Sequence, residues 1–129
     1  MNILIADDEI KLRSMFKTIL SSEFPDNSID MAVNGVEAVD SFRKGNYDIL
    51  LLDLNMPVKN GCQAFLEIQE ICRKENPKMP YVIFCTGFPV PEELEEIAAD
   101  TSRCSILQKP VTYENLIGTF KALIKPNNS

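Results

Sequence analysis

Asp7, Asp8, Asp53, Thr86 and Lys109 are polar side chains standing directly after short apolar runs: 3–6, 49–52, 81–85 and, more weakly, 105–108. Apolar runs of this length read as strands buried on both faces. A carboxylate such as Asp53 at the end of one, with no basic residue between Asn46 and Val58, needs its counter-charge from elsewhere. If these ends converge, three carboxylates meet, and unit charges about 4 Å apart repel by roughly 4 kcal/mol at an effective dielectric near 20. Lys109 offers one positive charge. A hard divalent cation with oxygen ligands offers two more; Mg²⁺ suits few protein ligands, several waters and a phosphoryl oxygen, whereas Ca²⁺ wants a denser cage. With such an ion beside it, Asp53 could attack phosphorus in line and become an aspartyl phosphate, the ion and Lys109 neutralising the phosphoryl oxygens. The chain has no histidine, so general-base chemistry must rest on carboxylates, Lys, Thr, backbone groups or a metal.

Convergence requires a fold that brings together positions a hundred residues apart. Residues 3–6 predict β1, and Leu12, Met15, Phe16 and Ile19 predict a helix over 12–21, α1. After the turn at 24–27, Ile29, Met31 and Val33 alternate with Ser28, Asp30 and Ala32 as a half-exposed strand over 28–33, β2. Asn34-Gly35 breaks it, and Val36, Val39 and Phe42 mark α2 over 36–44. The run 49–53 is β3. Beyond the turn at 57–61, Phe65, Ile68 and Cys72 mark the inner face of α3, 65–75, stopping near Asn76-Pro77. The second uninterrupted run, 81–85, is β4. Pro89 and Pro91 lead into an acidic helix α4, 92–98, with Leu94, Ile97 and Ala98 inside and Glu92, Glu93, Glu95 and Glu96 outside. Residues 105–108 give β5. Thr112 caps α5, 113–124, where Tyr113, Leu116, Ile117, Phe120 and Ile124 keep helical period.

Alternating strands and helices call for an α/β fold, a parallel five-stranded sheet covered on both faces and wound right-handed. β2 alternates and β5 carries Ser105 and Gln108, so these belong at the edges. The order 2-1-3-4-5 follows, a flavodoxin-like doubly wound (βα)5 three-layer sandwich. In such sheets ligands bind beyond the carboxyl ends of the strands, where the winding reverses.

At 129 residues the chain fits one domain able to bury a core without staples. A net charge of −6 repels nucleic-acid backbone and anionic lipid. The N-terminus lacks a basic leader and no apolar stretch reaches membrane-span length, which predicts a cytoplasmic protein. Cys62, Cys72, Cys85 and Cys104 lack zinc-site pairing and read as buried reduced thiols.

The ordered signatures "ADDE", "NGVEAV", "YDILLLDLNMPVKNG", "TG" and "KP" resemble the receiver domain of bacterial response regulators, the phospho-accepting part of two-component signalling. The resemblance runs from Asn2 to about Lys125, giving a domain over 1–125 and a loose tail or severed linker over 126–129. It implies that Asp53 is the phosphoacceptor, that Asp8 binds Mg²⁺ directly and Asp7 mostly through water, and that the Asn55 backbone carbonyl is a further ligand. It also implies that Thr86 hydrogen-bonds a phosphoryl oxygen, that Lys109 bridges to it, and that Lys109-Pro110 is a cis bond. The implied role is a self-phosphorylating switch of the α4, β5 and α5 surface, not a turnover enzyme. Its partners would be a sensor histidine kinase or histidine phosphotransfer protein and a downstream protein or C-terminal effector domain, with phosphorylation-dependent homodimerisation a further option.

Taken singly the motifs have plainer readings: Asp7 or Asp8 as the cap of α1, Thr86-Gly87 as a turn, Lys109-Pro110 as a loop. A haloacid-dehalogenase-type phosphatase would want a general-acid aspartate where Asn55 stands. A flavodoxin-like carrier would want a phosphate-cradling loop where Asp7, Asp8 and Glu9 stand. A degenerate receiver that never accepts phosphate, acting as a constitutive interaction module, is the remaining alternative. One position departs from the family: three residues before the lysine, where receivers carry a switching aromatic, this chain has Ile106. Its χ1 is stiff and it has no ring face, which shifts the expected switch to the loop after β4. There Phe88 is placed to tune hydrolysis of the phosphate.

Overall fold

The computed structural model describes residues 1–75, 78–87, 89–99 and 103–124, with the side chain of Ile124 excepted. Five strands and five helices alternate: β1 (Asn2–Ala6), α1 (Ile10–Glu23), β2 (Ser28–Ala32), α2 (Gly35–Lys44), β3 (Ile49–Asp53), α3 (Gly61–Glu75), β4 (Tyr81–Thr86), α4 (Glu92–Ala99), β5 (Cys104–Gln108) and α5 (Tyr113–Ile124). The strands are all parallel, in the order β2-β1-β3-β4-β5. β3 is buried at every position because helices cover both its faces. Successive side chains of a strand point to opposite faces, so Leu50 and Leu52 join the cluster under α2, α3 and α4. Ile49 and Leu51 join the cluster under α1 and α5.

Local chemistry sets the helix starts. At α2, Asn34 Oδ1 accepts from the Glu37 N–H at 2.8 Å, and Glu37 Oε1 accepts from the Val33 N–H at 3.0 Å. At α3 a reciprocal box joins Asn60 and Gln63, each side-chain oxygen accepting the other's backbone N–H at 2.9 Å. Thr112 caps α5 as expected, accepting from the Asn115 N–H at 3.1 Å.

Some inner-face expectations are corrected. In β2 it is Ala32 that is buried, while Met31 and Val33 are about two-fifths exposed (41% and 39%) and Ile29 is half-buried. Period two says which residues share a face but not which face of an edge strand a helix covers. Tyr113, the first residue of α5, is 48% exposed, and Met15 flanks rather than fills the inner face of α1, which Phe16 and Leu20 occupy. Cys62 and Cys85 are buried thiols, whereas Cys72 and Cys104 are half-buried; all four are free. The expectations for Phe88, for the side chain of Ile124 and for the tail 126–129 lie outside the described residues.

The N-terminus of α2 lies against the β3–α3 loop. The Gly35 N–H donates to the Lys59 carbonyl at 3.0 Å, and a Cβ on Gly35 would stand 2.2 Å from that oxygen. Gly118 in α5 is the opposite case, exposed and with nothing within 4 Å of an added Cβ. Gly35→Ala should therefore lower stability by about 1–3 kcal/mol through overpacking. Gly118→Ala should raise it by up to about 1 kcal/mol through helix propensity. Urea midpoints check both, and equal effects would show that backbone propensity alone governs these glycines.

Candidate functional site

Sheet register brings the polar residues together. Ala6 pairs with Leu52 and Asp53 with Cys85, so Asp7, the next residue along β1, arrives beside Asp53. Thr86 pairs with Gln108, placing Lys109 one step further. Backbone hydrogen bonds continue the ladders past the strand ends: Asp7 N–H to Ala32 at 3.1 Å, Leu54 N–H to Cys85 at 2.8 Å, and Lys109 N–H to Thr86 at 2.7 Å. These bonds fix the main chain under each functional side chain. Gly61 adds a close contact from below, since a Cβ there would stand 2.6 Å from the Asp53 carbonyl oxygen.

The two neighbouring acids after β1 are not equivalent. Asp7 is buried and Asp8 is exposed. Asp7 Oδ1 accepts the Glu9 N–H at 2.8 Å, and the Arg13 guanidinium donates to the Asp7 carbonyl at 2.7 Å. Glu9, not either aspartate, takes the cap position of α1, and it makes no side-chain capping bond. The cap reading of Asp7 and Asp8 is thereby removed, and Asp7 Oδ2 is left buried without a hydrogen-bond partner.

Lys109 Nζ lies 2.9 Å from Asp53 Oδ1 and 4.0 Å from Asp7 Oδ2. One ammonium thus faces two buried carboxylates. Burial pushes Asp53 up from 3.8 to about 6; the Asp7 charge adds to this, while Lys109 and the Asn55 backbone N–H oppose it. Burial likewise raises Asp7, against the Glu9 N–H and Lys109. Burial alone would lower Lys109, but the bond to Asp53 and the charges of Asp53 and Asp7 outweigh it and hold the ammonium above its ordinary range. A single positive charge does not satisfy the site. Carboxylate oxygens of Asp7, Asp8 and Asp53 lie within 4.8 Å of one another, and they form an all-oxygen donor set that fits a hard divalent cation.

Thr86 is buried at the end of β4, and Asn55 is exposed two residues past Asp53. The Lys109–Pro110 bond is cis. Ile106 is half-buried, paired in register with Phe84, and packs with it on the side of the sheet that α4 covers. Cys85 is buried at the position paired with Asp53, and burial, reinforced by the Asp53 charge, pushes its thiol up to about 12.

Sequence reading missed three supports of the site. Arg13 gives no signal beyond lying on the first turns of α1. The steric reasons for Gly35 and Gly61 are contacts with Lys59 and Asp53 that no local pattern encodes. Val58, 84% exposed, adopts φ 69°, a left-handed conformation unfavourable for a β-branched residue.

Known proteins share this arrangement of elements. The family model described as the response regulator receiver domain matches residues 3–121. The chemotaxis protein CheY of Halobacterium salinarum is 32% identical over 123 residues, covering 93% of this chain and 97% of that protein. The positive alginate biosynthesis regulatory protein of Pseudomonas aeruginosa is 34% identical over 128 residues, covering 98% of this chain but 48% of its own length. The transcriptional regulatory protein ResD of Bacillus subtilis is likewise matched over 48% of its length. The chain therefore spans nearly all of the chemotaxis relative and about half of these two regulators. Among solved structures, the chemotaxis response regulator CheY4 of Vibrio cholerae has a TM-score of 0.77 at 26% identity, covering 95% of this chain and 98% of that one.

A carboxyl whose folded value lies above its unfolded one costs stability only while ionised. For Asp53 the cost is absent below about pH 4 and is complete once pH has risen through about 6. In metal-free buffer Asp53→Asn should therefore be more stable than the parent protein at pH about 7, with the difference fading toward pH about 4. Urea titrations across that window check this; a difference independent of pH would contradict a raised Asp53.

Proposed function

Since this chain belongs to the receiver-domain family of response regulators, we propose that Asp53 accepts a phosphoryl group in a magnesium-dependent reaction and that the resulting aspartyl phosphate alters the surface around α4. The observation that carries the proposal is the ion pair of Lys109 Nζ with Asp53 Oδ1 at 2.9 Å, with Asp7 Oδ2 buried without a hydrogen bond 4.0 Å from the same ammonium. It is a site with negative charge in excess of its one fixed cation. Asp7, Asp8, Asp53 and the Asn55 backbone carbonyl would hold the ion. The chemistry such an ion supplies when bound is neutralisation of phosphoryl oxygens.

The chain's own residues do the rest. The rigid end of β3 holds the Asp53 carboxylate as the nucleophile. An Asp53 oxygen forms the new bond to phosphorus as the donor's bond breaks, and the donor group leaves with the electron pair. Lys109, already paired with Asp53, is positioned to follow the charge onto the phosphoryl group. Thr86 would donate its hydroxyl to a phosphoryl oxygen. The chain is then a phosphoacceptor whose donor is a sensor histidine kinase or histidine phosphotransfer protein and whose output is a partner protein or an effector domain, not an enzyme turning over an external phosphoester.

Thr86 lies two residues beyond Phe84, on the face of β4 shared with Ile106. Movement of Thr86 toward the phosphoryl group therefore opens space on the side of the sheet where α4 packs. With isoleucine at position 106 the change is borne chiefly by the β4–α4 connection rather than by rotation of an aromatic ring.

Acetyl phosphate with Mg²⁺ should add the mass of one phosphoryl group to the intact protein, and Asp53→Asn, Asp8→Asn or removal of Mg²⁺ should prevent it. Equal labelling of the Asp53 variant would end the proposal. With beryllofluoride and Mg²⁺, amide resonances of α4 and the connection before it should move together with those of the cleft. Changes confined to the cleft would refute the switch while leaving the phosphoacceptor role standing.

A further inference from the structure

Away from the acidic cleft, α3 and α4 leave an open groove of about 630 Å³ between their solvent edges, lined chiefly by Phe65, Leu66, Gln69, Glu93, Glu96 and Ile97. Phe65 is the buried floor, Ile97 is half-buried, and Leu66 is a large aliphatic 47% exposed. α4 is seated by Leu94, fully buried, which turns Glu93 and Glu96, three residues apart, to one shared side of the helix. Both are exposed, and the Glu93 charge contributes to raising the Cys62 thiol to about 11, after burial. Glu93 therefore lies within electrostatic reach of the first turn of α3, and it lines the groove itself. The cations of α3 and its approach are engaged elsewhere: Lys59 pairs with Glu67, and Arg73 and Lys74 pair with Glu70. Among the described residues neither Glu93 nor Glu96 is in a salt bridge.

An apolar floor with an acidic wall selects its occupant by charge. A second copy of this chain presenting the same face would bring acid against acid, and an anionic membrane would be repelled by a molecule of net charge −6. We propose that the α3–α4 groove is a docking site for a basic amphipathic helix of a partner protein. Its apolar anchors, spaced at i, i+3 and i+4 and i+7, lie over Leu66, Phe65 and Ile97, and its Lys or Arg side chains face Glu93 and Glu96. The site lies on the edge of α4 away from β5 and does not depend on the phosphoacceptor reading.

The test is an NMR titration of the whole chain with a synthetic helix-forming peptide of about four turns, leucines on one face and lysines on the other. Amide shifts should map to α3 and α4, and affinity should fall by about tenfold or more for Leu66→Gln and for the double variant Glu93→Lys, Glu96→Lys. The same peptide with glutamates in place of lysines should bind the double variant better than the parent chain, a reversal that mere damage to the fold could not produce. Shifts centred on another surface, no binding, equal affinity for parent and variants, or tighter binding to anionic vesicles than to the lysine peptide would each overturn the proposal. Phosphorylation by acetyl phosphate should be unaffected in these variants.

Discussion

One ammonium between two buried carboxylates is the constraint on which the rest of the structure depends. Lys109 reaches Asp53 at 2.9 Å and Asp7 at 4.0 Å, and both acids remain above their ordinary range because burial outweighs the help it gives. The surrounding contacts hold the site in place. The parallel ladder continues past the strand ends, Gly61 presses against the Asp53 carbonyl, and Arg13 holds the Asp7 carbonyl. The fold thus keeps an electrostatic deficit in place, and a deficit of this kind favours a further positive charge.

The two faces of the sheet divide the labour. Asp53 and Cys85 point toward the layer of α1 and α5, whereas Thr86, Phe84 and Ile106 point toward α3 and α4. Of the latter three, Thr86 is the buried polar residue.

Much of this was legible from residues alone. β1, β3 and β4 announced themselves as interior strands by their unbroken apolar runs, and their ends named Asp7, Asp8, Asp53 and Thr86. The order of the sheet followed from the weaker patterns of β2 and β5. What stayed hidden was of two physical kinds. Inequality between neighbours, such as buried Asp7 beside exposed Asp8 or buried Ala32 beside exposed Met31, depends on which face a helix covers, and side-chain type is a poor guide to that at a sheet edge. Contacts such as Gly35 with Lys59 join segments far apart in the chain and leave only a glycine as a trace. The glycine in "NGVEAV" was visible as a signature, but its reason was not.

The buried thiol paired with Asp53 bears on the lifetime of anything formed there. An aspartyl phosphate is a mixed anhydride, an activated acyl group that a sulfur nucleophile could capture as a thioester. Only the thiolate is a competent nucleophile, and Cys85 is pushed up to about 12 by its surroundings. At neutral pH this thiol is thus chemically silent, and each negative charge gained at Asp53 deepens that silence by raising the cost of a second anion alongside it.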